Sequence, residues 1–287
     1  MITTKSFKFE NIRYFKFGYH PFGKPFLFVY TYFVDGLLID TGQPKARKKI
    51  VNTLGELGVK QIFLTHHHED HTGNAPALQE KFQCRVYAPS KCCELMKNPP
   101  PLSFAQQMIW GDRPANTEII PKDELVETQS YKFNLIPIPG HAKDMVALYE
   151  PEERWLFSAD LYVNSYIGYF LKSESVTQQI ASMKRVLRLD FKVMFCSHNP
   201  RIDDAREKLR TKLQYFEDFY GQVIDVYKKG NDAKEVFKSL GLKEHGFTYL
   251  LSHGMLSKLN MVRSAIRDYE EELGAGLKKT GQKKDSL

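Results

Sequence analysis

One short segment constrains the fold and the chemistry of this sequence more than any other. Residues 65–73 read Thr-His-His-His-Glu-Asp-His-Thr-Gly, so that four histidines and two acids occupy the six positions from 66 to 71. Imidazole and carboxylate side chains are the ligands that zinc, iron and manganese accept in proteins. The apolar run at 62–64 comes directly before this segment and predicts a buried strand. We therefore expect the histidines to lie on a loop that leaves this strand and begins a metal site, rather than on a solvated surface loop.

Three later strand-like runs also lead to residues that can bind a metal. In layered α/β structures, functional sites assemble at the carboxyl ends of strands. A single histidine in such a place is more often structural than a ligand, but the joint placement reverses that expectation. The three residues are His141, Asp160 and His198, whereas His20, His245 and His253 have no such context and are expected to be structural.

The pattern His66-x-His68-x-Asp70-His71 resembles the signature of the metallo-β-lactamase-fold hydrolases. This superfamily includes glyoxalase II, metal-dependent lactonases, the tRNA-processing nuclease RNase Z and the class B β-lactamases. The resemblance extends from about residue 26 to 198. It implies an α/β fold, a four-layer αββα sandwich, with an all-helical extension at the C-terminal side.

The resemblance also implies a role for each candidate site residue. Two divalent metal ions would be bound, with zinc as the first expectation and iron or manganese as alternatives. Such a pair of ions lowers the pKa of a shared water molecule towards neutrality. The resulting hydroxide is the nucleophile, so no side chain is needed for that role. Asp70 is implied as the catalytic residue, which orients the water and assists proton transfer. The ligands would be His66, His68 and His141 for the first ion, Asp70, His71 and His198 for the second, and Asp160 as the bridge.

Two residues near the cluster are expected to support it. Asp40 ends another predicted strand, where its carboxylate can hydrogen-bond the metal loop or merely cap a turn. His67 lies between two ligands and is expected to point away from the metals. Residues 95–125 interrupt the strand–helix alternation with prolines and apolar residues, and we leave open whether they form a lid over the site or a surface helix on the sheet edge.

At several positions this sequence differs from particular branches of the superfamily, and these differences indicate which reactions are expected. His68 stands where the oxygen-reducing flavo-diiron branch has a glutamate, which favours hydrolysis. Asp160 stands where class B1 β-lactamases have a cysteine, and the residues after His141 differ from those of glyoxalase II. Tyr162 and Tyr166 are candidates for the tyrosine of the lactonases, or they are packing residues.

The leading hypothesis is a dinuclear metal-dependent hydrolase that acts on a small ester, thioester or lactone. The alternative is a metal-dependent (ribo)nuclease that uses the C-terminal helices to hold RNA. A third hypothesis is an interaction module with a structural metal, which we disfavour because structural zinc sites are closed four-ligand sites without a bridging carboxylate.

The sequence divides into a predicted catalytic domain at 1–201, a helical extension at 202–273 and a disordered tail at 274–287. The extension is expected to cover the core, to join two chains in a homodimer, or to bind RNA through basic residues such as Lys208, Arg210 and Lys212. These basic residues alternate with acidic ones, so nucleic acid is not favoured as a partner despite the net charge of +7.

The remaining sequence features predict a cytoplasmic protein, whereas a small-molecule substrate is what the resemblance implies. No apolar stretch approaches the roughly 20 residues of a membrane helix, and the N-terminal residues lack a signal-peptide core. The four cysteines show no Cys-x-x-Cys spacing and are expected to be reduced thiols.

Overall fold

The computed structural model describes residues 2–19, 28–112 and 118–281. The expectation for His20 and the end of the predicted tail, residues 282–287, lie outside these ranges. All four cysteines lie inside them, and none forms a disulfide.

The first β-sheet is built by the N-terminal part of the chain. The first four strands form an antiparallel meander, and the later three are parallel to the fourth. Asp35 and Gly36 make the tight turn between the third and fourth strands, and both have positive φ, as such a hairpin turn requires. Among the described residues its seven strands lie in sequence order: β1 (Ile2–Phe9), β2 (Ile12–Tyr19), β3 (Phe28–Val34), β4 (Leu37–Ile39), β5 (Gln61–Phe63), β6 (Arg85–Ala88) and β7 (Ile119–Pro121).

The second β-sheet follows in the chain and packs face to face with the first. Its strands are antiparallel except for the last pair in the chain, which is parallel and therefore needs a crossover helix. Within the described ranges it has five strands, β8 (Leu125–Glu127), β9 (Lys132–Pro137), β10 (Val146–Glu150), β11 (Trp155–Ala159) and β12 (Val193–Cys196), in the spatial order β12-β11-β10-β9-β8.

Short helices accompany the first sheet. A 3-10 turn at Pro44–Ala46 precedes the first of them. Apolar side chains from three of the helices, such as Ile50, Leu78 and Met96, cover the outer face of the sheet. The helices are α1 (Arg47–Leu54), α2 (Glu69–Thr72), α3 (Ala75–Phe82), α4 (Ser90–Lys97) and α5 (Phe104–Ile109).

Longer helices cover the outer face of the second sheet. The crossover helix between β11 and β12 shares one core with the C-terminal helices, through side chains such as Met183, Phe216 and Val262. The helical extension is therefore part of the outer layer of the sandwich. The helices are α6 (Val176–Val186), α7 (Ala205–Tyr227), α8 (Ala233–Ser239), α9 (Gly246–Leu251) and α10 (Lys258–Gly281).

Three cores separate four layers. The core between the sheets is aromatic, with Tyr32, Phe133, Trp155 and Phe195 among its buried members. A further core lies between each sheet and the helices that cover its outer face. This is the αββα sandwich with a helical extension that the resemblance implies.

The C-terminal end differs from the prediction. The last predicted helix ends near residue 272 and the tail begins at 274, but α10 continues to Gly281. No proline interrupts this stretch, and Leu277, Lys278 and Lys279 favour a helix, whereas Gly274 and Gly276 oppose it. No helix in the described ranges combines the length and apolar character that crossing a membrane requires.

Candidate metal centre

The seven side chains predicted as metal ligands lie together at the carboxyl ends of strands from both sheets. The metal loop, residues 65–73, follows β5, and the other three ligands follow β9, β11 and β12. They form two groups, and within each group the ligand atoms lie within 4.8 Å of one another. The first group is His66, His68 and His141, and the second group is Asp70, His71, Asp160 and His198.

The carboxylate of Asp160 lies between the two groups. Its Oδ2 atom is 3.4 Å from Nε2 of His141, which belongs to the first group. The same oxygen is 3.4 Å from Nε2 of His71 and 3.3 Å from Nε2 of His198, both in the second group. The carboxylate of Asp160 thus lies close to histidine nitrogens of both groups.

A local irregularity of β11 directs Asp160 to this position. The pairing of β11 with β12 shifts register between Phe157 and Ala159, as a β-bulge does. Ala159 has a φ of 44°, in the left-handed region that residues with a side chain rarely adopt. Bulges turn a side chain away from its regular alternation, and here the turned side chain is that of Asp160.

Four of the five ligand histidines present Nε2 to the centre, and their Nδ1 atoms contact oxygens. The hydroxyl of Thr65 donates to Asp40 at 2.9 Å, so its oxygen accepts from Nδ1 of His66. This arrangement fixes ring tautomer and orientation, as is usual for metal-bound histidines. The Nδ1 contacts are His66 with Thr65 Oγ1 (3.0 Å), His71 with Asp40 Oδ2 (2.7 Å), His141 with Glu174 Oε2 (3.1 Å) and His198 with the carbonyl of Phe28 (2.7 Å).

The fifth ligand histidine, His68, presents Nδ1 to the centre instead of Nε2. Nδ1 of His68 lies 3.0 Å from Nε2 of His141, so both nitrogens face the centre of the first group.

Three buried atoms of the centre form no hydrogen bond among the described residues, namely Nε2 of His66, Nε2 of His71 and Oδ1 of Asp160. A buried polar atom without a partner costs about 1–3 kcal/mol. One divalent cation at each group would satisfy these atoms, and nitrogen with oxygen donors suits zinc, iron or manganese. The residues present therefore fit the metal ions that the fold implies.

The charge of the second group favours a cation. Burial works to lower the pKa of His71 and His198, but nearby carboxylates, chiefly Asp160, raise the pKa of His71 well above its usual range and that of His198 to about 9. Burial works to raise the pKa of Asp160, but His198 and His71 hold it well below its usual range. In the first group, burial and neighbouring imidazoles lower the pKa of His66 and His68, which keeps both rings neutral.

Asp40 supports the metal loop, which confirms that prediction. Its two carboxylate oxygens accept from the backbone N–H of Thr65 at 2.8 Å and from the Thr65 hydroxyl. Its own φ is 58°, a strained value for a residue with a side chain. The strained backbone directs the carboxylate towards both Thr65 and His71.

His67 points away from the ligand groups, as predicted. Its backbone N–H and its ring Nδ1 each contact a carboxylate oxygen of Asp144 at 2.8 Å. Asp144 is not among the residues predicted for the site, although it follows the candidate ligand His141 by three positions.

For residues 95–125, the sequence leaves open both a lid over the site and a surface helix on the sheet edge, and different parts of the segment lie in different places. Its first residues belong to α4, whose Met96 packs on the first sheet. The helix α5 lies at the site: Gln106 donates to Glu69 of the metal loop at 3.3 Å, and the ring of Trp110 lies 6.3 Å from that of His198. Residues 113–117 lie outside the described ranges.

The two candidate tyrosines differ in environment. Tyr162 is buried in the outer core and its hydroxyl lies 3.1 Å from that of Ser165, so it is a packing residue. Tyr166 is 66% exposed and packs its ring edge-on against Tyr215. His245 and His253 lie in the helical extension and belong to neither ligand group.

Comparison with known proteins identifies the family to which the chain belongs. The model of the metallo-beta-lactamase superfamily matches residues 25–198. A hydroxyacylglutathione hydrolase from Bdellovibrio bacteriovorus is 28% identical over 144 residues, which cover 50% of each chain. The lactamase-like protein aptB from Emericella nidulans is 26% identical over 213 residues, 73% of this chain and 62% of that protein. The chain thus spans about half to three fifths of the length of these curated relatives.

Solved structures show the same fold at low identity. A metallo-beta-lactamase family protein from Thermus thermophilus has a TM-score of 0.62 at 21% identity, over 89% of this chain and 92% of that one. A flavodiiron core from Synechocystis has a TM-score of 0.61 at 13% identity, over 77% of this chain and 63% of that one.

Proposed function

The chain belongs to the metallo-beta-lactamase superfamily, and on that premise we propose that it is a dinuclear metal-dependent hydrolase of a small ester, thioester or lactone. The observation that carries this proposal is the carboxylate of Asp160, which stands within 3.4 Å of histidine nitrogens from both ligand groups. A closed structural metal site has four ligands and no such shared carboxylate.

The proposed ligand sets follow the two groups. When bound, the two ions supply activation of water near neutral pH and polarisation of the oxygen of the scissile group. We propose zinc as the metal, with iron or manganese as alternatives that the same donor set accepts. The first ion would be held by His66, His68 and His141, the second by Asp70, His71 and His198, with Asp160 shared.

Asp70 is the proposed catalytic residue. Its carboxylate is buried, and its Oδ2 lies 3.4 Å from Nε2 of His198 and 3.7 Å from Nε2 of His71. A carboxylate in that place can orient the attacking water and accept its proton. The proton would then pass from Asp70 to the leaving group.

Helix α5 and Trp110 form the wall of the site on the side of the second group. The backbone carbonyl of Trp110 accepts from the backbone N–H of Lys45 at 2.9 Å, which fixes the end of α5 beside the site. An indole ring next to His198 excludes water and offers an apolar surface to the acyl part of a substrate.

Two observations favour a carbonyl substrate over RNA. Several of the relatives are hydroxyacylglutathione hydrolases, a name that denotes thioester hydrolysis. Of the basic residues proposed to hold RNA, Lys212 is buried, and Lys208 lies near the acids Asp204 and Glu207 at 3.8 and 3.9 Å. Free thiols at all four cysteines suit the reducing cytoplasm, where we place the enzyme.

A substrate panel tests the proposal. Purified protein loaded with zinc, manganese or iron is assayed on p-nitrophenyl esters, lactones, glutathione thioesters and bis-p-nitrophenyl phosphate. We expect turnover of at least one carbonyl class, and its loss in an Asp160→Ala variant. Faster turnover of the phosphodiester than of every carbonyl substrate would replace the proposal with the nuclease alternative.

A further inference from the structure

Glu174 lies beside the first ligand group but is not a member of it. Its side chain is buried, and one carboxylate oxygen, Oε2, accepts from Nδ1 of His141 at 3.1 Å and from the amide of Gln179 at 2.9 Å. The other oxygen accepts from the backbone N–H of Leu171 at 2.9 Å. The carboxylate is therefore fixed on both sides, and its bond to His141 holds the ring with Nε2 facing Asp160.

The backbone of Glu174 is in turn held by the last helix. Its carbonyl oxygen accepts from the hydroxyl of Ser264 at 2.9 Å and from the guanidinium of Arg267 at 2.7 Å, both on α10. The next residue, Ser175, donates its hydroxyl to the buried carboxylate of Asp268 at 2.7 Å. Helix α10 thus binds the segment that carries Glu174 at adjacent residues.

His141 differs in this respect from the other three histidines with an Nδ1 contact. Their partners, Thr65, Asp40 and the carbonyl of Phe28, all belong to the first sheet and its loops. The partner of His141 depends on a helix much further along the chain, because Ser264 and Glu174 are separated by 90 positions. Helix α10 therefore contacts the segment that supports a ligand of the first group.

We propose that Glu174 is a positioning residue for His141, and that helix α10 holds it in place as a part of the metal centre. This inference rests on the proposed metal site. The bond from His141 Nδ1 fixes the tautomer that leaves Nε2 free to bind an ion, and loss of such a support typically weakens metal affinity about 10–100-fold.

Metal titration tests the inference without reference to activity. Glu174→Ala and Glu174→Gln remove the charged acceptor, and the double variant Ser264→Ala/Arg267→Met removes the two donors to the backbone carbonyl of Glu174 while keeping its carboxylate. The matched control is Tyr227→Phe, which removes a bond from α7 to Glu270 of α10 and touches nothing near His141. Zinc affinity is measured by competition with a chromophoric chelator, and cobalt is added to record the visible spectrum.

We expect one of the two ions to bind about 10–100-fold more weakly in both Glu174 variants and in the double variant. The cobalt spectrum of that ion should change as well, which a general loss of stability would not cause. Tyr227→Phe should match the wild type in affinity and spectrum. If the Glu174 variants do not fold, the double variant decides the question.

Unchanged affinity and spectrum in all three variants would overturn the inference. A wild-type chain that binds no metal would overturn it together with the metal site. A wild-type chain that binds two ions but hydrolyses no carbonyl substrate would overturn the proposed function alone, and the comparison of affinities would still decide the role of Glu174.

Discussion

The ammonium group of Lys212 donates a hydrogen bond of 2.6 Å to the carbonyl oxygen of Leu161, the residue that follows Asp160. The same group donates to the carbonyl of Tyr162 at 2.9 Å. Lys212 lies on α7 and is 1% exposed. Helix α7 thus holds the backbone directly after Asp160 in place.

Replacing Lys212 with methionine should destabilise the protein. The variant keeps the length of the side chain but leaves two buried carbonyls without a donor, which costs about 1–3 kcal/mol of unfolding free energy. Urea denaturation measures the change. Lys208→Met on the same helix is the matched control, because its partly exposed pair with Asp204 should be worth less than about 1 kcal/mol. Equal stabilities of the two variants would contradict the role of Lys212.

The contribution of Lys212 should also depend on pH. Burial lowers its pKa from 10.5 to about 8 in the folded chain. Between these two values the unfolded chain binds the proton more tightly, so folding is disfavoured as the pH falls from 10.5 to about 8. We expect the stability of the wild type relative to Lys212→Met to rise across this range as pH increases. A difference that stays flat or falls would show that the folded pKa is not lowered.

Purified protein should contain two transition-metal ions per chain, and Asp160→Ala should lower that number. The alanine variant should keep its fold, because Asp160 follows the end of a strand and its side chain contacts the ligand groups rather than a core. Hydrolysis should be nearly abolished. Elemental analysis and circular dichroism check both statements, with the exposed Asp203→Ala as control. Full activity in Asp160→Ala would show that Asp160 is not a metal ligand of the active site.

Trp110→Ala should raise KM for esters with large acyl groups by about tenfold, because an apolar contact with the wall of the site is lost. The turnover number should change less, since the ligand groups remain intact. Steady-state kinetics on acetyl and longer acyl esters provides the measurement. Met108→Ala, a half-exposed residue of α5, is the control. A fall in turnover number with unchanged KM would place Trp110 in the chemical step instead.

Replacing Lys208 and Arg210 together with glutamine should leave any RNA binding and its salt dependence unchanged. Fewer phosphate contacts would flatten the salt dependence if these residues held RNA. Lys212 is left out of the variant, because it is buried and donates to the carbonyls of Leu161 and Tyr162. Gel-shift titration at several salt concentrations measures the effect, and ester turnover serves as the control. A flatter salt dependence with unchanged ester turnover would favour the nuclease alternative.

The convergence of the seven candidate ligands could be predicted from the sequence, and the family resemblance implied their division into two sets. Histidines and acids stand at the ends of apolar strands, and strand ends converge in layered folds. The support of Asp40 was predictable for the same reason, since it too ends a strand.

The supports of His141 and Asp160 could not be predicted in this way. Glu174 lies 33 positions from His141, and Lys212 lies 51 positions from Leu161, so no periodicity connects them. For Lys212 a signal did exist: it falls between Leu209 and Phe216 on the inner stripe of α7, at the three- and four-residue spacings of a helix face. Its charge suggested a surface residue, although its position on the helix indicated burial.

The contact between α10 and the segment of Glu174 has a consequence for the order of events during synthesis. A chain leaves the ribosome from its N-terminus, and all seven proposed ligands have emerged once residue 198 is outside. The helix that holds the support of His141 emerges only later, because Ser264 and Arg267 lie well beyond that point. If Glu174 has the proposed role, a nascent chain that already carries every ligand still lacks the helix that fixes His141, and we expect it to bind metal at the first group about 10–100-fold more weakly until α10 has emerged.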